Sequence, residues 1–440
     1  VVLGWIEATN FARLHTSLHF PWAESNLNAS FPTDVHEALA SLPWRGQFWI
    51  PSFQSRAKSF WLLGAQGWDT ALCHGGMVWN PRLEPYKNAI TNELYVSASI
   101  SMYQYLNNGT AADKDPLHLQ AAIESYKWLK GSNMTNNQGL FVDGFHIDRQ
   151  QPGNVECDVR DEMVYTYNQG VLLTGQRGLW DVTGSPSYLE DGHNLIQAVI
   201  KATGWSLKTN QPIDLVGVSS KLPQWRGLGR GGILEEECDA SGTCSQDGQT
   251  FKGIYFHHLN AFCQPLQWDD INDSQIFNMD SFGHVKAAHK AACGAYLGWI
   301  KHNALAALKT RDSRGRFGMW WGAGIFGDIQ VSPEADGINH SAANSTDYRN
   351  YGTPNDEVWG RSARWLPGTG KGIQEKPAPL TSSSRLELRS MDEAETAETV
   401  MQRPHDGDAN DRGRGRTVET QAGGVALLRA YWDISQSQAS

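Results

Sequence analysis

Nowhere does this 440-residue chain hold 18 or more consecutive apolar residues, the stretch a helix needs to cross a bilayer. Long Lys/Arg-rich runs are missing as well, and the formal net charge is −10. That balance argues against nucleic acid or an anionic membrane surface as a partner. No Gly-x-Ser-x-Gly elbow, phosphate-binding P-loop or dinucleotide-binding fingerprint is evident, so acyl, phosphoryl and hydride transfer have nothing to rest on. Zinc spacing is lacking where it would matter. Neither the adjacent His257 and His258 nor Cys238 and Cys244 show His-x₃₋₅-His or Cys-x₂-Cys separation, and no metal or cofactor is expected. At the first position, too, something is wanting. "VVLGWIEATNFARLHTSLHF" reads as helix, with Leu3, Phe11, Leu14 and Leu18 at helical spacing, yet no Ser, Thr, Asp or Asn precedes Val1 to satisfy the first N–H groups.

Aromatic residues are plentiful, with eighteen tryptophans and thirteen tyrosines. Flat aromatic faces suit the apolar faces of sugar rings, although aromatics also fill cores. Six Asn-x-Ser/Thr triplets open at Asn28, Asn108, Asn133, Asn272, Asn339 and Asn344, a density of glycosylation acceptors that leans towards secretion. Cys238 and Cys244 flank the turn-rich loop "CDASGTC", which a disulfide can close; the pairing of Cys73, Cys157, Cys263 and Cys293 is left open.

Helical patterns recur along the chain. "KNAITNELYVSASISMYQYL", Lys87 to Leu106, carries an apolar stripe of Ile90, Leu94, Ala98, Met102 and Tyr105 and a second, polar stripe of Asn88, Asn92, Tyr95 and Ser99. Further helices are predicted in "PLHLQAAIESYKWLKGS", in "NQGVLLTGQRGLWDVTG" and in "SPSYLEDGHNLIQAVIKATG", where Ser185 or Ser187 can cap and Gly204 can stop the turn. Between them lie glycine- and aromatic-rich loops. Helix, loop, helix is the rhythm of an all-α toroid of paired helices whose loops build a site at one end. From Gln374 to Arg416 the composition turns to charge, Ser and Pro, as in a disordered insertion. The expected organisation is one barrel domain over residues 1–373, the insertion over 374–416, and a closing helix over 417–440.

Carboxyl groups are the candidates for chemistry, because glycosidic hydrolysis ordinarily needs two. Asp161 and Glu162 stand before "MVYTYNQG", Asp143 lies in the apolar "FVDGF", and Glu93 lies on the long helix; Asp269 and Asp270 read as a solvated loop.

The stretches "GWDTALCHGGMVWN", "YKNAITNELYVSASI", "LFVDGF", "YTYNQGVLLTG", "GILEEECDASGTCSQDGQTFKGIYFHHL", "GRFGMWWGAG" and "TQAGGVALLRA" together resemble glycoside hydrolase family 76, the α-1,6-mannanases of fungi and bacteria. The resemblance implies an (α/α)₆ barrel, a secreted or wall-associated, N-glycosylated protein, and retaining cleavage of α-1,6-mannosidic bonds. It also implies a consecutive aspartate pair directly before a stretch like "VVLGWIEATNF", so that Val1 follows the catalytic pair, the first helices are missing, and the chain alone is inactive or nearly so. Carried over position by position, it assigns substrate-side roles to Asn88, Asn92, Glu93, Asp143 with the Gly144 turn, the Tyr167, Asn168 and Gln169 turn, Lys252 and Trp320. "FHHLN" stands where the family usually has an arginine after "FKG". Two rivals stay open: a non-catalytic mannan-binding or wall-anchoring module, and hydrolysis by Asp143 with Asp161 or Glu162.

Overall fold

Three glycines of "NQGVLLTGQRGLWDVT" stand inside a helix, Thr166–Thr183, where each costs about 1 kcal/mol relative to alanine. Packing explains them. A Cβ on Gly170 would lie 2.6 Å from the Tyr255 Cα, one on Gly175 2.8 Å from Val96, and one on Gly178 2.9 Å from Ile100. This helix is wedged between two others at a distance that only hydrogen side chains permit.

The computed structural model describes residues 1–19, 46–81, 83–106, 114–148, 150–214, 222–267, 279–327, 331, 335–340, 344–347 and 408–439. Its helices are α1 (Val2–His19), α2 (Gly46–Ala65), α3 (Ala89–Tyr105), α4 (Pro116–Gly131), α5 (Thr166–Thr183), α6 (Pro186–Ala202), α7 (Phe251–Phe262), α8 (Met279–Ala295), α9 (Leu297–Lys309), the short α10 (Ala323–Phe326) and α11 (Val418–Ala439). α3 packs on α5, α5 on α7 and α7 on α11, making an inner arc that α1 extends beside α3. The remaining long helices back it: α2 against α1 and α3, α4 against α3, α6 against α5, and α8 and α9 against α11. The architecture is the expected all-α barrel of paired helices.

Helix ends follow their sequence signals. Gly184 closes α5 at φ +68°, its N–H donating to the Trp180 carbonyl at 2.7 Å, a left-handed stop. Pro186 occupies the first turn of α6, and Ser185 stands at the cap position without a side-chain capping bond. Its hydroxyl meets that of Ser187 instead.

Two predicted faces are corrected. Among the described side chains of α1 the buried positions are Ile6, Thr9 and Ala12, packed near Trp61, Ala98 and Met102, while Phe11 and Leu14 are 61% and 59% exposed and the side chain of Leu18 lies outside the described ones. In α3 the predicted apolar stripe buries only Ala98 and Met102, with Leu94 and Tyr105 exposed, whereas Asn88, Asn92 and Ser99 of the polar stripe are fully buried. The cause is position: α3 lies among α1, α2, α4 and α5, so its polar groups find partners inside. Ser99 Oγ accepts from Trp61 Nε1 at 2.9 Å, and Ser97 Oγ donates to the Val171 carbonyl at 2.7 Å. The helix also starts later than predicted, because Tyr86–Asn88 forms strand β1.

β1 pairs antiparallel with β2 (Gly144–His146), and β2 with β3 (Val159–Asp161), placing Asn88 opposite Gly144 and Gly144 opposite Asp161. A Cβ on Gly144 would sit 2.6 Å from both the Asn88 Cα and the Lys87 carbonyl oxygen, so the approach requires glycine. Disulfides join Cys73–Cys157, Cys238–Cys244 and Cys263–Cys293, and no cysteine is free. Trp180, Trp299, Trp320 and Trp321 are among the largest fully buried side chains; these tryptophans fill the core.

Of the charged stretch 374–416, residues 374–407 lie outside the described residues, as do Asn28, Asn108, Asn272, Asp269 and Asp270. Asp408–Arg416 departs from the expectation of disorder. A 3₁₀ turn at Ala409–Asp411 buries Ala409 and Asn410, Asn410 Oδ1 accepts from the Trp320 N–H at 2.7 Å, and the Arg412 guanidinium donates to the carbonyls of Ala240 and Val331. Composition alone does not register a polar segment that spends its polar groups on the backbone of others.

Candidate functional site

Asp143 is the residue at which the first turns of α3 and α5 and the β1–β3 sheet meet. Its carbonyl accepts from the Ala89 N–H at 2.8 Å and its N–H donates to the Met163 carbonyl at 2.7 Å. On the side chain, Oδ2 accepts from the Tyr86 hydroxyl at 2.7 Å and Oδ1 from Asn168 Nδ2 at 3.3 Å.

Two further carboxyls crowd it. Glu93 is fully buried on α3, and among the described residues neither of its oxygens has a hydrogen-bond partner. Burial, and then the charge of Asp143, push its pKa well above the ordinary range, which keeps it a neutral acid. Asp161, at the end of β3, accepts through Oδ1 from the Met163 and Thr346 N–H groups, both at 3.1 Å, while Oδ2 has no partner. Burial, with Asp143 next in effect, raises it to about 7. Glu162 is not part of this group: it is turned outward and pairs with Arg160 at 2.8 Å.

The other predicted residues are buried too, each with an internal task. Asn88 caps α3 by accepting from the Thr91 N–H at 3.3 Å. Asn92 accepts from the Met77 N–H at 2.7 Å and donates to the Asn88 carbonyl at 2.8 Å. Gln169 grips both backbone groups of Phe141, at 2.8 and 2.9 Å. The Tyr167 ring lies 4.2 Å from that of Phe251. Lys252 pairs with Asp239 and stands over the Trp321 ring, and Trp320 Nε1 donates to Glu235 at 3.1 Å. The expected turn at Asp143–Gly144 is the entry to β2, and that at Tyr167–Gln169 is the first turn of α5.

Sequence reasoning missed two supports of the site. Lys87 is fully buried, and its ammonium donates to the carbonyls of Asp69, Gly75 and Gly76 at 3.0, 2.9 and 2.6 Å while pairing with the Asp69 carboxylate at 3.1 Å. It fastens the Gly-Trp-Asp loop to β1. The second support is the acidic run of "GILEEECD". Glu235 pairs with Arg230 at 3.1 Å, Asp239 with Lys252, and Glu236 accepts from both the N–H and the hydroxyl of Thr166, where the positive end of α5 favours an acceptor. Burial, ahead of the other influences, raises Glu235 to about 7 and Glu236 to about 8. The available signal was the pair of cations, Arg230 and Lys252, flanking the run.

Among the described residues, the two three-ligand clusters are His193–His289–Cys293 and Cys238–Asp239–Cys244. Every cysteine in them is committed to a disulfide and offers no thiolate.

Among known proteins, a family model described as glycosyl hydrolase family 76 matches residues 49–299. The chain is 25% identical over 222 residues to the mannan endo-1,6-alpha-mannosidase DCW1 of Saccharomyces cerevisiae, a match covering 49% of this chain and 40% of that protein. To the mannan endo-1,6-alpha-mannosidase DFG5 of the same yeast it is 24% identical over 215 residues, 47% of this chain and 39% of the other. The chain thus spans about two fifths of the length of these curated relatives. Dfg5 of Chaetomium thermophilum, solved in complex with glucosamine, is similar at 19% identity and a TM-score of 0.41 over 64% of this chain and 57% of that one. An inactive variant of the α-1,6-mannanase GH76A of Salegentibacter sp. HEL1_6, in complex with α-1,6-mannotriose, is similar at 19% identity and a TM-score of 0.42, over 65% and 67%.

Proposed function

Because this chain belongs to glycosyl hydrolase family 76, we propose that it serves an α-1,6-mannan-processing glycosidase or transglycosylase of the retaining type, secreted or associated with the fungal cell wall. The observation that carries the reading is the buried Glu93–Asp143–Asp161 group, with proton affinities raised at Glu93 and Asp161, beside the first turns of α3 and α5. Carboxyls whose environment shifts their protonation collect at functional sites. The role assigned to the group is positioning: Asp143 ties the first turns of α3 and α5 to the β1–β3 sheet, and Glu93, kept neutral, adds a polar group beside it without adding negative charge. Three disulfides and the exposed sequon asparagines Asn133, Asn339 and Asn344 support an oxidising, secretory route with N-glycosylation.

A second reading, a mannan-binding or wall-anchoring module without turnover, is favoured by the burial of the three carboxyls Glu93, Asp143 and Asp161, which present no acid or nucleophile at the surface. One experiment separates the two. The purified chain is titrated calorimetrically with α-1,6-mannotetraose, and the mixture is then chromatographed. Shortened or lengthened oligosaccharides support the enzyme reading, heat of binding with the glycan unchanged supports the module, and neither heat nor products overturns both.

A further inference from the structure

Between the end of α4, the loop 133–141 and the facing sides of α5 and α6 lies a cavity of about 300 Å³. Its walls are held rigidly. Arg160 donates to the carbonyls of Asn133 and Thr135 at 2.7 and 2.8 Å, Asn136 Oδ1 accepts from the N–H groups of Gln138 and Leu140, and Gln169 clamps Phe141. Such a loop is formed before any guest arrives, which lowers the ordering cost of binding.

The polar groups of the cavity are only partly spent. Asp191 accepts from the Tyr126 hydroxyl at 2.5 Å and from Lys130 at 2.9 Å. Gln176, which lines the wall and is 2% exposed, donates Nε2 to Tyr126 at 3.4 Å, and its Oε1 is sealed from solvent without a hydrogen-bond partner among the described residues. The single ammonium and single carboxylate lining the cavity are paired with each other, so nothing selects a charged guest. Asn194 adds donors and acceptors on one side, and Phe141 and Leu195 add apolar surface on the other.

Hydroxyl groups on the rim and an apolar C–H face describe a pyranose. The volume stands at the low end of the range for small-molecule sites, about 300–1,000 Å³, which suits one ring rather than a chain. We propose that this cavity is a second saccharide site, holding one neutral hexopyranose away from the Asp143 cluster. It is independent of the function proposed above, since its lining shares no side chain with that cluster.

The test is hydrogen exchange of the full chain with methyl α-D-mannopyranoside, read by mass spectrometry. Peptides covering 133–141 and 190–198 gain protection on adding the sugar. Ala198→Trp, which fills the cavity, weakens this binding by about tenfold or more, and Asn194→Trp, at an exposed position, does the same if the first variant melts early. Protection confined to the peptide around 83–93 marks the Asp143 cluster alone and overturns the proposal. So does protection of 133–141 that survives in both folded variants, or no protection of either cavity peptide.

Discussion

A carboxyl that lies in a protein interior without a hydrogen-bond donor keeps its proton, and Glu93 meets that condition at both oxygens. Asp161 meets it at one, and the charge of Asp143 adds to burial in raising its proton affinity. Asp143→Asn therefore lowers the Asp161 pKa from about 7 towards the ordinary carboxylate range, observable by carbon-detected NMR titration of the aspartate carboxyls; an unchanged value would mean that burial alone sets it. The same variant is expected to weaken mannan binding by about tenfold in the calorimetric titration. If Asp143 itself took part in hydrolysis, turnover would vanish with it. Asp161→Asn mimics the protonated group at every pH. Since each tenfold change in proton affinity is worth about 1.4 kcal/mol, it removes about 1–4 kcal/mol of the stability lost between pH 4 and 8, read as a smaller drop in melting temperature across that interval.

At the scale of the element, glycine placement separates packing from propensity. Gly170→Ala pushes a methyl into the Tyr255 backbone, and overpacking of this kind costs about 1–3 kcal/mol. Gly4 in α1 has nothing within 4 Å of an added Cβ, so Gly4→Ala gains up to about 1 kcal/mol from helix propensity. Denaturant titration of the two variants should move in opposite directions. The same contrast explains what could be read in advance. α5 and α6 were legible because Pro186, Gly184 and Gly204 punctuate them, signals that act within a turn of helix. The inward face of α3 was not, because Asn92, Glu93 and Ser99 are buried by neighbours distant in sequence, and periodicity ranks residues by their own polarity. For the same reason Glu235, Glu236 and Asp239 were passed over as candidates, although Arg230, Thr166 and Lys252 meet them in the interior.

Over the whole molecule, two sets of buried groups pull stability in opposite directions with pH. Asp161, Glu235, Glu236 and Glu237 have folded pKa values raised to about 7 or 8, so their contribution is complete below about pH 4 and is lost as pH rises through those values. His193, His258 and His289 are lowered to about 4, 3 and 3, chiefly by burial, and their contribution is lost as pH falls below about 6.5. Above pH 6.5 only the carboxyls act. The melting temperature should fall from pH 6.5 to 8, and fall again from pH 4 to 3; a flat profile over the upper interval would contradict the carboxyl assignment. Cross-links follow loop length: Cys73–Cys157 spans 84 residues and Cys238–Cys244 only 6, so replacing the first pair by serine costs about 4–5 kcal/mol and the second about 2 kcal/mol in the chain-entropy estimate, measurable by thermal denaturation.

Gly253 of α7 lies against Gly423 of α11, so close that a Cβ on Gly253 would come within 2.7 Å of the Gly423 Cα. Ribosomes deliver a chain at about 5–20 residues per second, and α11 is the last of the described helices to emerge. The nascent protein must therefore wait with one flank of α7 bare until that helix arrives, an interval in which a chaperone can hold it. All six cysteines precede α11, so oxidation can be finished during this pause, and the bare flank of α7 is covered by an element that carries no covalent tie of its own.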